Sequence, residues 1–168
     1  MTGVIVYRSS YGSTRQYAEW LGEETGFDVV DVRSVRDQDL RARDVVIVGC
    51  PVLAYKPLLA KWITKKWPVL SDKKVVLFTT SGAAPEDPSL RKGFEASFEP
   101  SIRSKIQYVP QGGRMVISKL KPMHRLMMRM GQRMEKDPVV REAMGQDKDH
   151  VNREGLRPIL ESLAGERS

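Results

Sequence analysis

VIVYRSSYGST, residues 4–14, is the segment from which the rest of the chain can be interpreted. Residues 4–7 are apolar and mostly β-branched without polar alternation, which predicts a buried parallel strand. A hydroxyl-rich turn with one glycine follows at 9–14, and the apolar spacing of residues 17–21 predicts a helix. Amides at a helix N-terminus are unpaired and carry roughly half a positive charge, so this turn suits a phosphate monoester. An ordinary capped turn is the alternative for this segment taken alone.

The turn lacks the two best-known phosphate motifs, because the chain has no G-x-x-x-x-G-K-[ST] and no G-x-G-x-x-G. It resembles instead the T/S-x-T-G-x-T loop of the flavodoxin family. The matching residues are Ser9, Ser10, Tyr11, Gly12, Ser13 and Thr14. In that family the loop holds the phosphate of FMN through hydroxyl groups and backbone amides. The resemblance therefore implies that FMN is the cofactor and that these six residues bind it.

Length and composition favour one basic domain. With 168 residues and 40% hydrophobic content, the chain can bury one core, so we predict a single domain over residues 1–168. The first strand follows Met1 directly and no apolar run could span a bilayer, so we expect no secretion signal. One cysteine, Cys50, fits a reducing cytoplasm. The net charge of +7 favours acidic partners, but no nucleic-acid motif is present, so nucleic acid is not predicted.

Strand and helix patterns alternate along the chain. Further strands are predicted at 27–32, 45–48, 75–78 and 106–109, with Pro110 shortening the last. Helices are predicted up to Gly26, over 57–67, from Pro88 after the N-cap Asp87, and between 149 and 164. This alternation implies an α/β fold with right-handed crossovers. Five such units match the doubly wound parallel sheet of flavodoxins, in the order 2-1-3-4-5.

Two more loops are expected to meet the phosphate turn, because ligands of such sheets bind beyond the carboxyl ends of the strands. Residues 49–57, GCPVLAYKP, offer the ring of Tyr55 either for stacking on a flavin or for packing on the chain itself. Residues 79–85, TTSGAAP, are small enough for their backbone to reach a ring system. The predicted cofactor contacts in these loops are Pro51, Val52, Leu53, Ala54, Tyr55, Thr80, Ser81, Gly82 and Ala83. Neither loop contains an acid, which predicts easier reduction of the flavin than in acidic flavodoxins.

About 35 residues, 112–147, form an insertion between the fifth strand and the last helix. At 100° per residue, one arc of about 100° carries Met123, Leu126, Met127, Met130 and Met134, with Arg125, Arg129, Arg133 and Lys136 on the adjacent flank. Three interpretations stay open at this point. The segment is an extra helix docked on the domain with its charges in solvent, an adaptable contact for a hydrophobic substrate or partner, or a helix at an anionic membrane surface through residues 119–136.

The run GGRMVISKLKPMHRLMMRMGQRMEKDP, residues 112–138, resembles the insertion of the menaquinone-dependent protoporphyrinogen IX dehydrogenase family. The resemblance implies an FMN-dependent enzyme of heme biosynthesis that oxidises a porphyrinogen and passes electrons to a membrane quinone. It also implies a cytoplasmic protein, with peripheral attachment to the inner face of the membrane as a variant. A basic flavodoxin that carries electrons to an acidic redox partner is one alternative, and a flavodoxin-fold scaffold without redox function is another.

Catalytic side chains are not assigned by the sequence, and no metal-ligand cluster is predicted. Arg114 is a candidate contact for a substrate carboxylate, because it follows two glycines at the end of the fifth strand. His124 is interpreted as a solvated residue of the basic helix.

Overall fold

The computed structural model describes residues 1–165, which form a parallel sheet with helices on both faces. In chain order its strands are β1 (Gly3–Tyr7), β2 (Asp28–Asp31), β3 (Val45–Leu53), β4 (Lys56–Pro57), β5 (Lys74–Ser81), β6 (Ile106–Gly112), β7 (Arg114–Met115) and β8 (Lys148–Asp149). Five of them pair in parallel in the order β2-β1-β3-β5-β6, while β4 pairs antiparallel with the end of β3. The predicted α/β fold and strand order are confirmed.

The helices are α1 (Ser13–Thr25), α2 (Asp37–Arg41), α3 (Ala60–Leu70), α4 (Pro88–Ser97), α5 (Pro100–Arg103), α6 (Pro122–Met134), α7 (Pro138–Met144) and α8 (Arg157–Ala164). Their ends follow the predicted signals at two places. Gly26 ends α1 in the left-handed region with φ 74°, and the carboxylate of Asp87 accepts a 2.8 Å hydrogen bond from the amide of Ser89 to start α4. Pro158 lies in the first turn of α8, where a proline is tolerated.

Both faces of the sheet are buried, which explains why its strands are apolar without alternation. Val4 and Val6 of β1 pack in a layer with Ile63 of α3, whereas Ile5 packs on the other side with Leu21 of α1. Successive side chains of a strand point to opposite faces, so each strand serves both layers.

Three strands, β3, β5 and β6, are longer than predicted, because residues from the predicted loops continue the sheet. Gly49 and Cys50 extend β3 by pairing with Phe78 and Thr79 of β5. A Cβ atom on Gly49 would lie 2.1 Å from the ring of Phe78, so this glycine makes room for a neighbouring side chain. β3 then turns back through Ala54 and Tyr55 into β4, and α3 consequently begins at residue 60 instead of 57.

Pro110 does not shorten the last parallel strand, contrary to the prediction. β6 continues to Gly112 and keeps its pairing with β5. β6 is an edge strand, and a proline is tolerated there when its nitrogen faces away from the neighbouring strand.

The two ends of the insertion are joined by the pairing of β7 with β8, and the helices α6 and α7 lie between these two strands in the sequence. β7 and β8 pair antiparallel, Arg114 with Asp149 and Met115 with Lys148. Tyr17 of α1 fixes the residues at both ends, because its hydroxyl donates to the carbonyl of Gly112 at 2.7 Å and accepts from the amide of Asn152 at 2.9 Å. Within residues 1–165, no helix combines the length and apolar character needed to cross a membrane.

Candidate functional site

A cleft of about 240 Å³ opens where the carboxyl ends of β1, β3, β5 and β6 meet. Its wall includes ten of the predicted cofactor residues: Ser10, Tyr11, Ser13, Thr14, Pro51, Val52, Leu53, Thr80, Ser81 and Gly82. The insertion and the residue that follows β4 supply the remainder: Leu58, Gly113, Arg114, Met115, Leu120, His124, Met127 and Met128. The three loops expected to meet do meet, and the insertion closes the cleft from the side.

Five predicted residues do not line this cleft: Ser9, Gly12, Ala54, Tyr55 and Ala83. Two of them still shape the phosphate turn, because the hydroxyl of Ser9 accepts from the amide of Gly12 at 3.1 Å and Gly12 adopts φ 94°, which favours glycine. Tyr55 occupies the tip of the turn between β3 and β4 with φ 63°, and its side chain is 49% exposed. Leu53, not the tyrosine ring, forms this part of the wall.

The first turn of α1 carries unpaired donors, and two of its residues, Ser13 and Thr14, line the cleft. Within the described residues, the amides of Ser13, Thr14 and Arg15 donate to no protein acceptor, as is usual for the start of a helix. The hydroxyl of Ser81 is also buried without a partner in the described part of the chain. Unpaired amides and a buried, unsatisfied hydroxyl fit an anionic, oxygen-rich group such as a phosphate ester.

Other hydroxyl groups of the cleft hold its loops together. Oγ1 of Thr14 lies 2.8 Å from Oγ1 of Thr80, which joins α1 to the end of β5. The hydroxyl of Ser13 accepts from the amide of Arg114 at 2.9 Å, which joins α1 to the insertion. The phosphate turn is therefore positioned by contacts to two other cleft segments.

The cleft wall carries cationic and imidazole groups but no carboxylate among the described residues. The Arg114 guanidinium is paired with Asp149, with Nε 2.9 Å from Oδ2, and this hydrogen bond lowers the pKa of the Asp149 carboxyl. Arg114 is thus engaged in the base of the insertion, which differs from the expected contact with a substrate carboxylate. The features that still favour an anionic ligand are the unpaired amides at the start of α1 and the lack of a carboxylate on the described cleft wall.

His124 belongs to the site, contrary to the prediction that it is a solvated helix residue. It lines the cleft, and its Nδ1 contacts the hydroxyl of Tyr11. The two rings lie 5.7 Å apart at 68°, in an edge-to-face arrangement. The hydroxyl of Tyr11 also accepts from the amide of Lys121 at 3.1 Å. A signal for this placement was available, because His124 and Met128 are one helical turn apart and both fall outside the methionine arc.

The apolar arc of α6 does not pack on the domain. Met123, Leu126, Met130 and Met134 are 54–78% exposed, and the helix faces the cleft with His124 and Met128 instead. The helix is therefore docked on the domain with Arg129 and Arg133 in solvent, but it docks through the face that carries His124 and not through its apolar arc. Met127 lies between the two faces, since it lines the cleft and remains 42% exposed.

Cys50 is a structural residue. It is fully buried, its sulfur accepts from the amide of Leu59 at 3.5 Å, and burial raises the pKa of the thiol to about 12. The described residues contain no group of three or more His, Cys, Asp or Glu side chains that could hold a metal ion.

Residues 4–140 match the sequence profile of a family described as a flavodoxin domain. A WrbA-like flavodoxin from Agrobacterium tumefaciens superposes with a TM-score of 0.53 at 20% identity, over 70% of this chain and 86% of that one. The Trp repressor binding protein from Bacillus subtilis gives a TM-score of 0.51 at 13% identity, over 90% and 100%. Two-electron reduced flavodoxin from Megasphaera elsdenii gives a TM-score of 0.51 at 19% identity, over 65% of this chain and 82% of that one. No curated protein sequence matches the chain. At these identities the structures support the fold alone.

Proposed function

The chain belongs to the flavodoxin domain family, and from that premise we propose that it is an FMN-dependent oxidoreductase of the protoporphyrinogen IX dehydrogenase type, coupled to a quinone. One observation carries the proposal. The insertion supplies an apolar wall of the cleft, and this wall continues into an apolar face that is open to solvent. Such a wall suits a redox enzyme with a hydrophobic substrate better than a carrier that passes electrons across a polar surface.

The donors at the start of α1 support FMN as the cofactor. The unpaired amides of residues 13–15 and the unsatisfied hydroxyl of Ser81 would hold its phosphate and polar groups. Pro51, Val52 and Leu53 would flank the flavin ring from the side of β3. When bound, FMN supplies the electron-transfer chemistry, and the protein supplies binding, orientation and exclusion of water.

The size of the cleft supports a substrate that enters beside the insertion. Its 240 Å³ are below the range of about 300–1,000 Å³ that is usual for small-molecule sites. A ligand as large as FMN would therefore extend beyond the cleft, whose wall includes Leu120, Met127 and Met128. Methionine side chains are flexible and polarizable, so this wall can adapt to a flat, hydrophobic substrate.

Charge and apolar exposure together support an anionic membrane surface as the partner of residues 119–136. This range contains six Lys or Arg and one Glu, which gives a net charge of +5. Arg129 and Arg133 are exposed beside the apolar arc of α6. Each such charge near anionic lipid contributes about 1 kcal/mol, and the arc adds apolar burial. A peripheral, salt-sensitive association would bring the cleft mouth to a quinone dissolved in the membrane.

The first test is the cofactor. The protein is purified, and FMN uptake is followed by absorption and by quenching of flavin fluorescence. Oxidation of protoporphyrinogen is then measured with menaquinone in phosphatidylglycerol vesicles. We expect yellow protein and turnover that depends on both FMN and quinone. Protein that takes up no FMN at micromolar concentration would overturn the proposal.

The second test separates the enzyme from an electron carrier. Arg129→Gln with Arg133→Gln removes two charges, and Met130→Gln with Met134→Gln removes apolar surface outside the cleft. Both pairs should weaken vesicle binding, the arginine pair by about 30-fold. Lys61→Gln with Lys65→Gln on α3 is the matched control and should bind as wild type. A carrier for an acidic protein would lose partner binding with the arginine pair and keep it with the methionine pair.

A further inference from the structure

We propose that Tyr11 and His124 form a latch that couples binding of the cofactor phosphate to the position of α6. The inference rests on the proposed FMN site and adds a function for two side chains that the cofactor chemistry does not require. In this arrangement Tyr11 and His124 are positioning residues: occupancy of the phosphate turn seats the insertion helix, and the seated helix tightens the cofactor.

The latch consists of two contacts to one hydroxyl group. The Tyr11 oxygen accepts from the amide of Lys121, which is the N-cap residue of α6, at 3.1 Å. The same oxygen contacts Nδ1 of His124 in the first turn of that helix. A hydroxyl group has one donor and two acceptor sites, so the Tyr11 hydroxyl can hold the Lys121 amide and the imidazole nitrogen at the same time.

These contacts are the hydrogen-bonded attachment of α6 to the sheet domain. Among residues 1–165, Tyr11 is the one residue outside the insertion that hydrogen-bonds to α6 or its N-cap. Gln132 in the second half of α6 donates to the carbonyl of Arg141 at 3.0 Å, which ties that half to α7 only. The outward arc of α6 is exposed. The first turn therefore determines where the helix sits on the cleft.

The position of Tyr11 links this attachment to the cofactor. It lies between Ser10 and Gly12 in the phosphate turn, next to the unpaired amides of α1. An anion bound to those amides fixes the backbone that carries the Tyr11 ring. Met127 and Met128 follow His124 by one turn and form the cleft wall, so the latch also sets the width of the cleft. The coupling is reciprocal. If the seated position of α6 increases the affinity for the cofactor by a given factor, bound cofactor increases the equilibrium constant for the seated position by the same factor.

Three variants test the latch without changing the backbone of the turn. Tyr11→Phe removes the hydroxyl, His124→Leu removes the ring nitrogen, and His124→Asn keeps a polar amide group, which can donate or accept, near the position of Nδ1. We expect Tyr11→Phe and His124→Leu each to weaken FMN binding by about tenfold, the effect of one to two hydrogen bonds. The double variant should be no weaker than either single one, and His124→Asn should be within about threefold of wild type.

Hydrogen exchange of the α6 amides gives a readout that does not depend on activity. FMN should slow exchange over residues 125–134 by about tenfold in wild type and have no effect there in Tyr11→Phe. Urea unfolding shows whether a variant keeps the global stability of the wild type. Equal FMN affinity and equal exchange in wild type, the three single variants and the double variant would overturn the latch alone. No uptake by wild type would overturn the proposed function and, with it, the coupling.

Discussion

Replacing the buried threonine pair of the cleft separates its contribution to stability from its contribution to ligand binding. Thr14 and Thr80 are 1% and 5% exposed, and their hydroxyl oxygens lie 2.8 Å apart. One hydroxyl hydrogen is used inside the pair. The other is free to donate to an anion in the cleft. Valine has nearly the same shape as threonine, so each substitution removes a hydroxyl group without opening a cavity.

Each single variant, Thr14→Val or Thr80→Val, leaves a buried hydroxyl without its partner. The free energy of unfolding should fall by about 1–3 kcal/mol in each. The double variant removes both polar groups, so its stability should return to within about 0.5 kcal/mol of wild type. Its affinity for FMN should not return, because a hydrogen bond to a charged group contributes about 1.5–3 kcal/mol. This corresponds to binding weakened by about 10- to 150-fold.

Urea unfolding and flavin fluorescence measure the two quantities on the same four proteins. Thr64→Val is the matched control, since its hydroxyl donates to the Ala60 carbonyl within α3 and lies outside the cleft. The control should bind FMN as wild type. Destabilisation of the double variant by the sum of the single effects would refute the buried-pair argument. Wild-type FMN affinity in the double variant would refute the ligand contact.

Four further outcomes follow from contacts already described. Tyr17→Phe leaves the buried carbonyl of Gly112 and the amide of Asn152 unpaired, so the free energy of unfolding in urea should fall by about 1–3 kcal/mol. Unchanged stability would contradict the role of the Tyr17 hydroxyl in joining these two residues. Gly93→Ala places a Cβ 1.8 Å from the Tyr55 carbonyl oxygen and should lower the free energy of unfolding by about 1–3 kcal/mol. No change in stability would mean that the turn between β3 and β4 moves away from the new Cβ without cost. Burial raises the pKa of the Cys50 thiol from 9.0 to about 12, so the unfolded chain ionises first. The free energy of unfolding should therefore decrease as pH rises from about 9 towards 12, and Cys50→Ala should lack this component of the slope. Bound FMN should have a higher reduction potential than an acidic flavodoxin in the same buffer, because no described carboxylate lines the cleft; a redox titration that gives an equal or lower value would count against this.

The fold was predictable because the strands are buried on both faces and their runs stand out in the sequence. Residues 4–7 and 45–48 are almost continuously apolar, and each is followed by a turn signal. The strand ends were not predictable. Gly49 and Pro51 are typical of loops, and their place in the sheet depends on pairing between β3 and β5, which are distant in sequence. Local propensity does not report such pairing.

The site was predictable as a meeting of loops, but not in its details. Periodicity located the apolar arc of α6 correctly, yet it defines a face without saying what that face contacts. The structure turns the arc to solvent and places His124 against the cleft. Tyr55 is a second case. The sequence left open whether its ring stacks on a flavin or packs on the chain, and the two-residue turn between β3 and β4 leaves Tyr55 half exposed and outside the cleft wall.

Pro110 has a consequence for how copies of this chain can associate. Its nitrogen carries no hydrogen, so the free edge of β6 lacks an amide donor within the strand. A strand from a second molecule could not form an uninterrupted ladder there, which protects this border from strand addition and from aggregation by growth of the sheet. Replacing the proline by valine would restore that donor and expose the protein to such polymerisation.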